Sequence, residues 1–382
     1  MTLWKSILTA AWLPGILAAG EGVPLPPCTT GRVAQVALPG ATCLAVSETL
    51  RLAVVAHRGP TDFQLTALPL GPAGDIEPGS ASRVTLEKPE SLKAFTVSAQ
   101  GLAFHPVLPL LYVWREVAYP FPPGKRPDNP VFRDFDHLAV YAVSNRTLVP
   151  AGAFARGPDF AYGFEAGSLA LDPAGRRLFV PNIRSDKERG GIGYLPITTN
   201  GYPLVEAGTG VKLISAELAD FTALPAGRSL ACFNERVACL GVPCGLMVWD
   251  TGNRLGAVSR VLLFGWPDKP LLAGCHPFVP AFYMASGNYL GMIAAADGYP
   301  TLLPVSRTVP NAAFSGAPVV LPAPPAAVAV GGINAVHLFG IDPATGGFTG
   351  NDAVVAVTNP AVRAMAASAA WNRLYVAVEA LP

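Results

Sequence analysis

Charge is scarce in this chain. Of its 382 residues only 14% are Asp, Glu, Lys or Arg, against about 25% in an average globular protein. The 27 basic and 26 acidic residues nearly cancel, leaving a net charge of +1. Such a chain cannot assemble the basic face that attracts a phosphate backbone, which excludes nucleic acid as a partner. Histidines number only five, and no GxSxG, HExxH, phosphate-loop or dinucleotide fingerprint stands in a supporting context. No cofactor and no metal are therefore expected. Long unbroken apolar runs are missing too. Pro270 to Ala296 and Thr308 to Ile341 hold almost no charge, but Pro and Gly interrupt both, so they read as strand pairs and not as membrane helices.

The one compact apolar stretch lies at the start. Lys5 precedes Ile7 to Ala18, and Leu17-Ala18-Ala19-Gly20 offers small residues for cleavage, the layout of a secretory signal over residues 1–20. No transmembrane segment is expected once it is removed, and the destination is extracellular or periplasmic. Six cysteines behind such a signal suggest disulfides, with a local bridge among Cys232, Cys239 and Cys244 favoured over a zinc site, which lacks a CxxC pair.

Turn-forming residues, by contrast, are abundant. Pro and Gly occur 39 times each, and they fall between apolar runs, which suits many short strands joined by tight turns. A nine-residue pattern recurs seven times: SETLRLAVV from Ser47, HPVLPLLYV from His105, DPAGRRLFV from Asp172, LPAGRSLAC from Leu224, HPFVPAFYM from His276, LPAPPAAVA from Leu321 and SAAWNRLYV from Ser368. Five copies carry Pro at the second position, and all end in a short apolar run. Each unit reads as four strands. In the third, these are Ser168 to Leu171, Arg177 to Val180, Ile192 to Ile197 and a segment near Val211 to Ile214. Four strands at a spacing of 45 to 67 residues are the sequence form of a propeller blade. The expectation is an all-β, seven-bladed β-propeller filling residues 21–382, with blades beginning near residues 41, 99, 166, 218, 270, 316 and 363. Few residues follow the last repeat, so a strand over Arg32 to Leu38 is expected to pair into the last blade and close the ring.

DPAGRRLFVPN (Asp172 to Asn182), HPVLPLLYV, WNRLYVAVE and GIDPATGGFTG (Gly340 to Gly350) together make the chain resemble the lactonase-like seven-bladed propellers, the superfamily of the 6-phosphogluconolactonase-like, carboxymuconate-cyclase-like and YVTN-repeat proteins. The resemblance covers nearly the whole mature chain and rests on structural motifs. It implies a fold and a range of activities, lactone hydrolysis or cyclisation of an unsaturated acid, and transfers no catalytic position.

Candidate residues follow from strand direction, because second strands end, and first strands begin, at one face of the ring. His57, Arg115, Glu116, Glu235, Arg236 and Arg363 are the groups there able to move a proton or hold an anion. His105 and His276, each before Pro at the opposite face, read as turn hydrogen-bonders. An insertion from Arg115 to Asp136 and a loop from Arg156 add aromatic rings near Lys125, Arg126 and Arg133, with Tyr119, Phe135, Tyr162 and Phe164 as the binding candidates. Asn182, Arg184, Asp220 and Asn234 complete the set, suited to a small anionic or sugar-like ligand. The alternative is a non-catalytic secreted propeller. It would bind a ligand or protein through its rim loops or through residues 270–341, where only Asp297 and Arg307 are charged.

Overall fold

The computed structural model of the protein describes residues 36–86, 96–120, 131–155, 169–184, 189–206, 210–211, 214–216, 229–233, 236–241, 245–250, 256–262, 272–279, 281–294, 301–310 and 312–378. Regular structure is almost wholly β. The first sheet runs β1 (Cys43–Ser47), β2 (Leu52–Arg58), β3 (Phe63–Pro69), β4 (Ser82–Thr85). The second runs β5 (Thr96–Phe104), β6 (Leu110–Pro120), β7 (Val131–Ser144), β8 (Thr147–Ala155). The third pairs β9 (Ala170–Leu171), β10 (Arg177–Arg184), β11 (Arg189–Pro196) and β14 (Ile214–Ala216), with a side hairpin of β12 (Val205–Glu206) and β13 (Gly210–Val211). The fourth is β15 (Ser229–Phe233), β16 (Arg236–Gly241), β17 (Gly245–Asp250), β18 (Gly256–Leu262). The fifth is β19 (Leu272–Cys275), β20 (Ala281–Ser286), β21 (Tyr289–Ala294), β22 (Thr301–Thr308). The last joins β23 (Val319–Leu321), β24 (Ala327–Gly331), β25 (Ile333–Ile341), β26 (Phe348–Ser368) and β27 (Arg373–Val378).

All pairings are antiparallel, and the first strands lie side by side in chain order: β1, β5, β9, β15, β19, β23, then β26, which returns to β1. This is an all-β propeller. The described residues show five separate four-stranded blades, not the seven expected. The residues assigned to a sixth and a seventh blade form one five-stranded sheet, because β26 is continuous over 21 residues. Its first part pairs with β25, Ala361 still pairs with Ile333, and from Val362 onward it pairs with β27. The chain thus passes from an outer to a central position without leaving the ladder.

Alternation along each strand explains the core. In the first sheet Val54, Ala56, Leu65 and Ala67 face the second sheet and pack on Val97, Ala99, Leu111 and Val113. Ala53, Val55 and Leu68 face the other way, onto Tyr375 and Ala377 of β27. Period-two patterning buries both faces, so these strands read as near-continuous apolar runs. Each fully buried Leu contributes about 1.5–3 kcal/mol.

The repeated motif serves two purposes that recur around the ring. Its first residue caps the turn that follows. Ser47 Oγ accepts from Leu50 N (3.2 Å), His105 Nδ1 from Val107 N and Leu108 N (3.1 and 2.9 Å), and Asp172 Oδ1 from Arg176 N and Arg177 N (2.6 and 3.1 Å). His276 Nδ1 accepts from Phe278 N and Val279 N (both 3.1 Å) and Ser368 Oγ from Trp371 N (3.2 Å). Its eighth residue, when tyrosine, latches one sheet to the next. Tyr112, Tyr283 and Tyr375 each donate from Oη to a glycine carbonyl, of Gly201, Gly346 and Gly74, at 2.7 Å in every case. Those glycines have φ of +80°, +74° and +79°, in a region only glycine enters freely. A Cβ at Gly346 would stand 2.8 Å from the Tyr283 hydroxyl.

Three further expectations are corrected. In the fourth unit the motif's apolar run is the first strand, β15, and not the second as in the other six. The insertion from Arg115 to Asp136 is largely ladder: β6 and β7 extend to Pro120 and from Val131, with Tyr119 opposite Phe132. Its tip, residues 121–130, lies outside the described residues. Cys43 and Cys275 are thiols and not disulfides, and burial pushes the Cys43 thiol up to about 11. Backbone register sets Cys232 opposite Val237 and Cys239 opposite Leu230, so those two do not face each other. Cys28 and Cys244 lie outside the described residues.

Candidate functional site

The candidate groups of the second sheet come closest together. Arg115 is buried on β6, opposite Ala99 of β5 and His137 of β7. Glu116 follows at an irregularity: the two residues Phe135 and Asp136 oppose it on β7, and Gln100 is the extra residue on β5. Gln100 Nε2 donates to Glu116 Oε2 at 2.6 Å and to Ser98 Oγ at 3.2 Å. Paired bulges of this kind re-aim side chains, and they set Arg115, Glu116 and the Phe135 backbone in one place. Gln100 was missed from sequence, where only the following glycine hints at broken register.

The remaining candidates are scattered. His57 is buried on β2, with Nδ1 3.3 Å from the Arg58 carbonyl and Nε2 2.7 Å from Thr66 Oγ1. Because a carbonyl only accepts, Nδ1 carries the hydrogen and Nε2 accepts the threonine hydroxyl. Burial, aided by the nearby Arg83 charge, holds this imidazole below its ordinary value, against the Arg58 carbonyl, which raises it. Asn182 and Arg184 lie on β10, opposite Gly191 and Arg189. Arg236 opens β16 opposite Phe233, on the far side of its sheet from the face assumed for it, since its unit is out of phase. Arg363 is exposed at a register shift in β26. Tyr119 and Phe135 lie on β6 and β7. Tyr162, Phe164, Asp220, Asn234 and Glu235 lie outside the described residues.

The ionisable groups are otherwise occupied in holding the fold. His57, His105, His276 and His337 are all buried, and desolvation lowers the pKa of each. Glu48 Oε1 accepts from Ser368 Oγ at 2.7 Å and from Ala370 N at 3.0 Å, joining the motif turns at the two ends of the ring. Arg373 pairs with Asp75 at 2.9 Å across the same seam, and Arg146 with Glu77 at 3.2 Å. Among the described residues no three His, Cys, Asp or Glu side chains converge as a metal site, and no helix is long and apolar enough to cross a membrane.

Large apolar side chains also reach solvent. Val107 and Phe278, the third residues of two motif turns, are 76% and 68% exposed. Tyr289, Ile333 and Val354 are exposed on the fifth and last sheets, and Val149, Leu204 and Val205 near the seam of the second and third. Phe278, Tyr289 and Ile333 fall inside the charge-poor stretch of residues 270–341.

No protein-family model matches the chain, and no curated protein matches it. Solved structures do. The WD40 repeats of RRP9 align with a TM-score of 0.56 at 12% identity, over 91% of this chain and 90% of that one. A chain of the mitotic checkpoint complex aligns at 0.57 and 12%, over 99% and 95%. Chaetomium thermophilum Raptor aligns at 0.55 and 12%, over 86% of this chain but 26% of its own length. With 746 solved chains matching, the likeness is to a widely used architecture and fixes the fold alone. It supports the propeller, and one neighbour is a WD40-repeat structure; nothing in it favours the lactonase-like group over other propellers.

Proposed function

We propose that the chain is a non-catalytic interaction propeller that binds a protein partner across the charge-poor sector of residues 270–341, at the ring face where Tyr289 and Ile333 are exposed. One observation carries this reading: His105, His276 and several of the carboxylates hold turns and seams, while large apolar side chains stand exposed where charge is sparse. Charge-poor surface with exposed aromatic and branched residues is what a docking area requires. Neighbours of this architecture include a chain of the mitotic checkpoint complex, in keeping with a scaffold that assembles with other proteins. The ring is read as seven-bladed, with the segment from Arg32 to Leu38 completing the last blade. Val36 and Leu38 packing in one cluster with Tyr375 and Ala377 supports that closure. Action outside the cytoplasm rests on the N-terminal segment.

The experiment is cross-linking of the expressed full chain in its host, comparing wild type with Tyr289→Asp and Ile333→Asp, exposed positions that each follow the end of a second strand and so share one face of the ring. The reading expects a defined partner whose capture drops about tenfold in either variant, a loss of about 1.4 kcal/mol, with thermal stability unchanged. Capture equal in all three overturns the assigned surface. A lactone-hydrolysis activity that Glu116→Gln abolishes would overturn the non-catalytic reading and restore the second sheet as an active site.

A further inference from the structure

Asn145-Arg146-Thr147 is the one Asn-x-Ser/Thr triplet of the chain, the acceptor pattern for an N-linked glycan. The structure places it in a two-residue hairpin. β7 ends at Ser144 and β8 begins opposite it at Thr147, and Asn145 and Arg146 turn the chain with φ of +52° and +61°, the left-handed pair of a type I′ turn. Asparagine suits its place, but arginine stands where glycine is usual, and the Glu77 carboxylate holds Arg146 at 3.2 Å. Asn145 and Thr147 are exposed. Thr147 Oγ1 donates to the Ser144 carbonyl at 2.6 Å, whereas among the described residues no hydrogen bond engages the Asn145 side chain.

Two needs meet at this hairpin. A glycan added to the extended chain has to be seated in the fold afterwards, and an exposed hairpin tip takes a bulky group without disturbing any packed core. The surface nearby is also short of polar cover. Val149 on the same β8 is 47% exposed, and Leu204 and Val205 are 43% and 50% exposed at the adjoining seam. A net charge of +1 gives the whole molecule little repulsion against association. A hydrated glycan supplies there the solubility that charge does not.

We infer that Asn145 is the acceptor of an N-linked glycan, added as the chain passes through a glycosylating secretory pathway; this rests on the secretory reading of residues 1–20. The donor is an oligosaccharide carried on a lipid pyrophosphate, which the host cell supplies together with the transferase. Nδ2 of Asn145 attacks the anomeric carbon of the first sugar. The bond from that carbon to the pyrophosphate oxygen breaks, its electron pair leaves with the lipid pyrophosphate, and Nδ2 gives one proton to a base of the transferase. One C–N bond replaces one C–O bond, and nothing is oxidised or reduced. The position is compatible with the partner surface proposed above. Third strands run against second strands and end at the opposite face of the ring, so the glycan stands away from Tyr289 and Ile333.

Expression of the full chain in a glycosylating eukaryotic cell tests it. Chain recovered from the medium should shift to lower mass on treatment with a peptide N-glycosidase, and residue 145 should then read as aspartate in its peptide. Asn145→Asp, which keeps the size and the ease of a left-handed turn, should abolish the shift. So should Thr147→Val, which keeps branching at Cβ but loses the hydroxyl, whereas Thr147→Ser should retain it. Secreted chain without the shift overturns the inference. Chain found only inside the cell and unmodified overturns the secretory reading beneath it. An unrelated signal sequence placed before the full chain then tests the acceptor by itself, and an unmodified Asn145 in that secreted form overturns the site as well. Partner capture should be the same for Asn145→Asp as for wild type; its loss would overturn the placing of the glycan away from the partner face.

Discussion

Tyr112, Tyr283 and Tyr375 each reach out of their own sheet to a glycine carbonyl of the next, and their burial raises all three phenols, Tyr375 to about 12. They act as neutral donors at any working pH. Replacing one by Phe leaves a buried carbonyl without its donor, a cost of about 1–3 kcal/mol, read as a lower urea midpoint with unchanged slope. The histidines give a second expectation. In His105 and His276, Nδ1 accepts two backbone N–H groups, so a second proton cannot be added without breaking the turn. Their folded pKa values are depressed by burial, with Asp172 and a Gly175 hydrogen bond opposing the shift at His105. The unfolded chain then binds more protons than the folded one as pH falls. The stability they contribute is full well above the unfolded value of about 6.5 and declines as pH drops through it toward the folded values. Thermal midpoints should fall between about pH 7 and pH 5, and His276→Asn, which keeps an accepting oxygen, should flatten part of that fall. The turn role of both histidines was legible in sequence because each precedes Pro. The tyrosine latch was not, because its glycine partner lies in the following unit, 63 to 301 residues away.

At the scale of elements, sequence spacing marks where strands occur but not which strand of a unit each one is. The fourth unit shows this: Ser229–Phe233 carries the motif's apolar ending, yet it forms a first strand, since the LPAGR that precedes it has the same Pro-Ala-Gly-Arg sequence as the DPAGR before the second strand of the third unit. Hence Arg236 was assigned to the wrong end of its sheet. The insertion of the second unit misled in another way. Pro120, Pro122 and Pro123 read as loop, although a ladder runs up to Pro120 on one side and from Val131 on the other. This can be tested. Ala118 sits between Thr96 and Arg133 on a central strand, so its N–H is committed to one ladder or the other. Ala118→Pro should cost about 3 kcal/mol or more, measured by urea unfolding; in a solvated loop the same change would be nearly neutral.

For the whole molecule the question is whether the ring is mechanically continuous where the two ends of the chain meet. The seam between β27 and the first sheet carries the same tyrosine latch as the seams of the second with the third sheet and of the fifth with the last. It adds the Glu48 cap bridge and the Arg373–Asp75 pair. That pair is exposed and contributes about 0–1 kcal/mol, so the latch and the apolar contacts of Ala53, Val55, Tyr375 and Ala377 carry the joint. If closure is as firm as the internal seams, Tyr375→Phe, Tyr112→Phe and Tyr283→Phe should lower stability by equal amounts within about 0.5 kcal/mol, since sites this far apart act independently. Each variant should unfold in one transition. A Tyr375→Phe cost near zero, or an early transition seen in that variant alone, would mean that the seam opens before the rest of the ring and that the blades are held as a chain of neighbours instead of a closed circle.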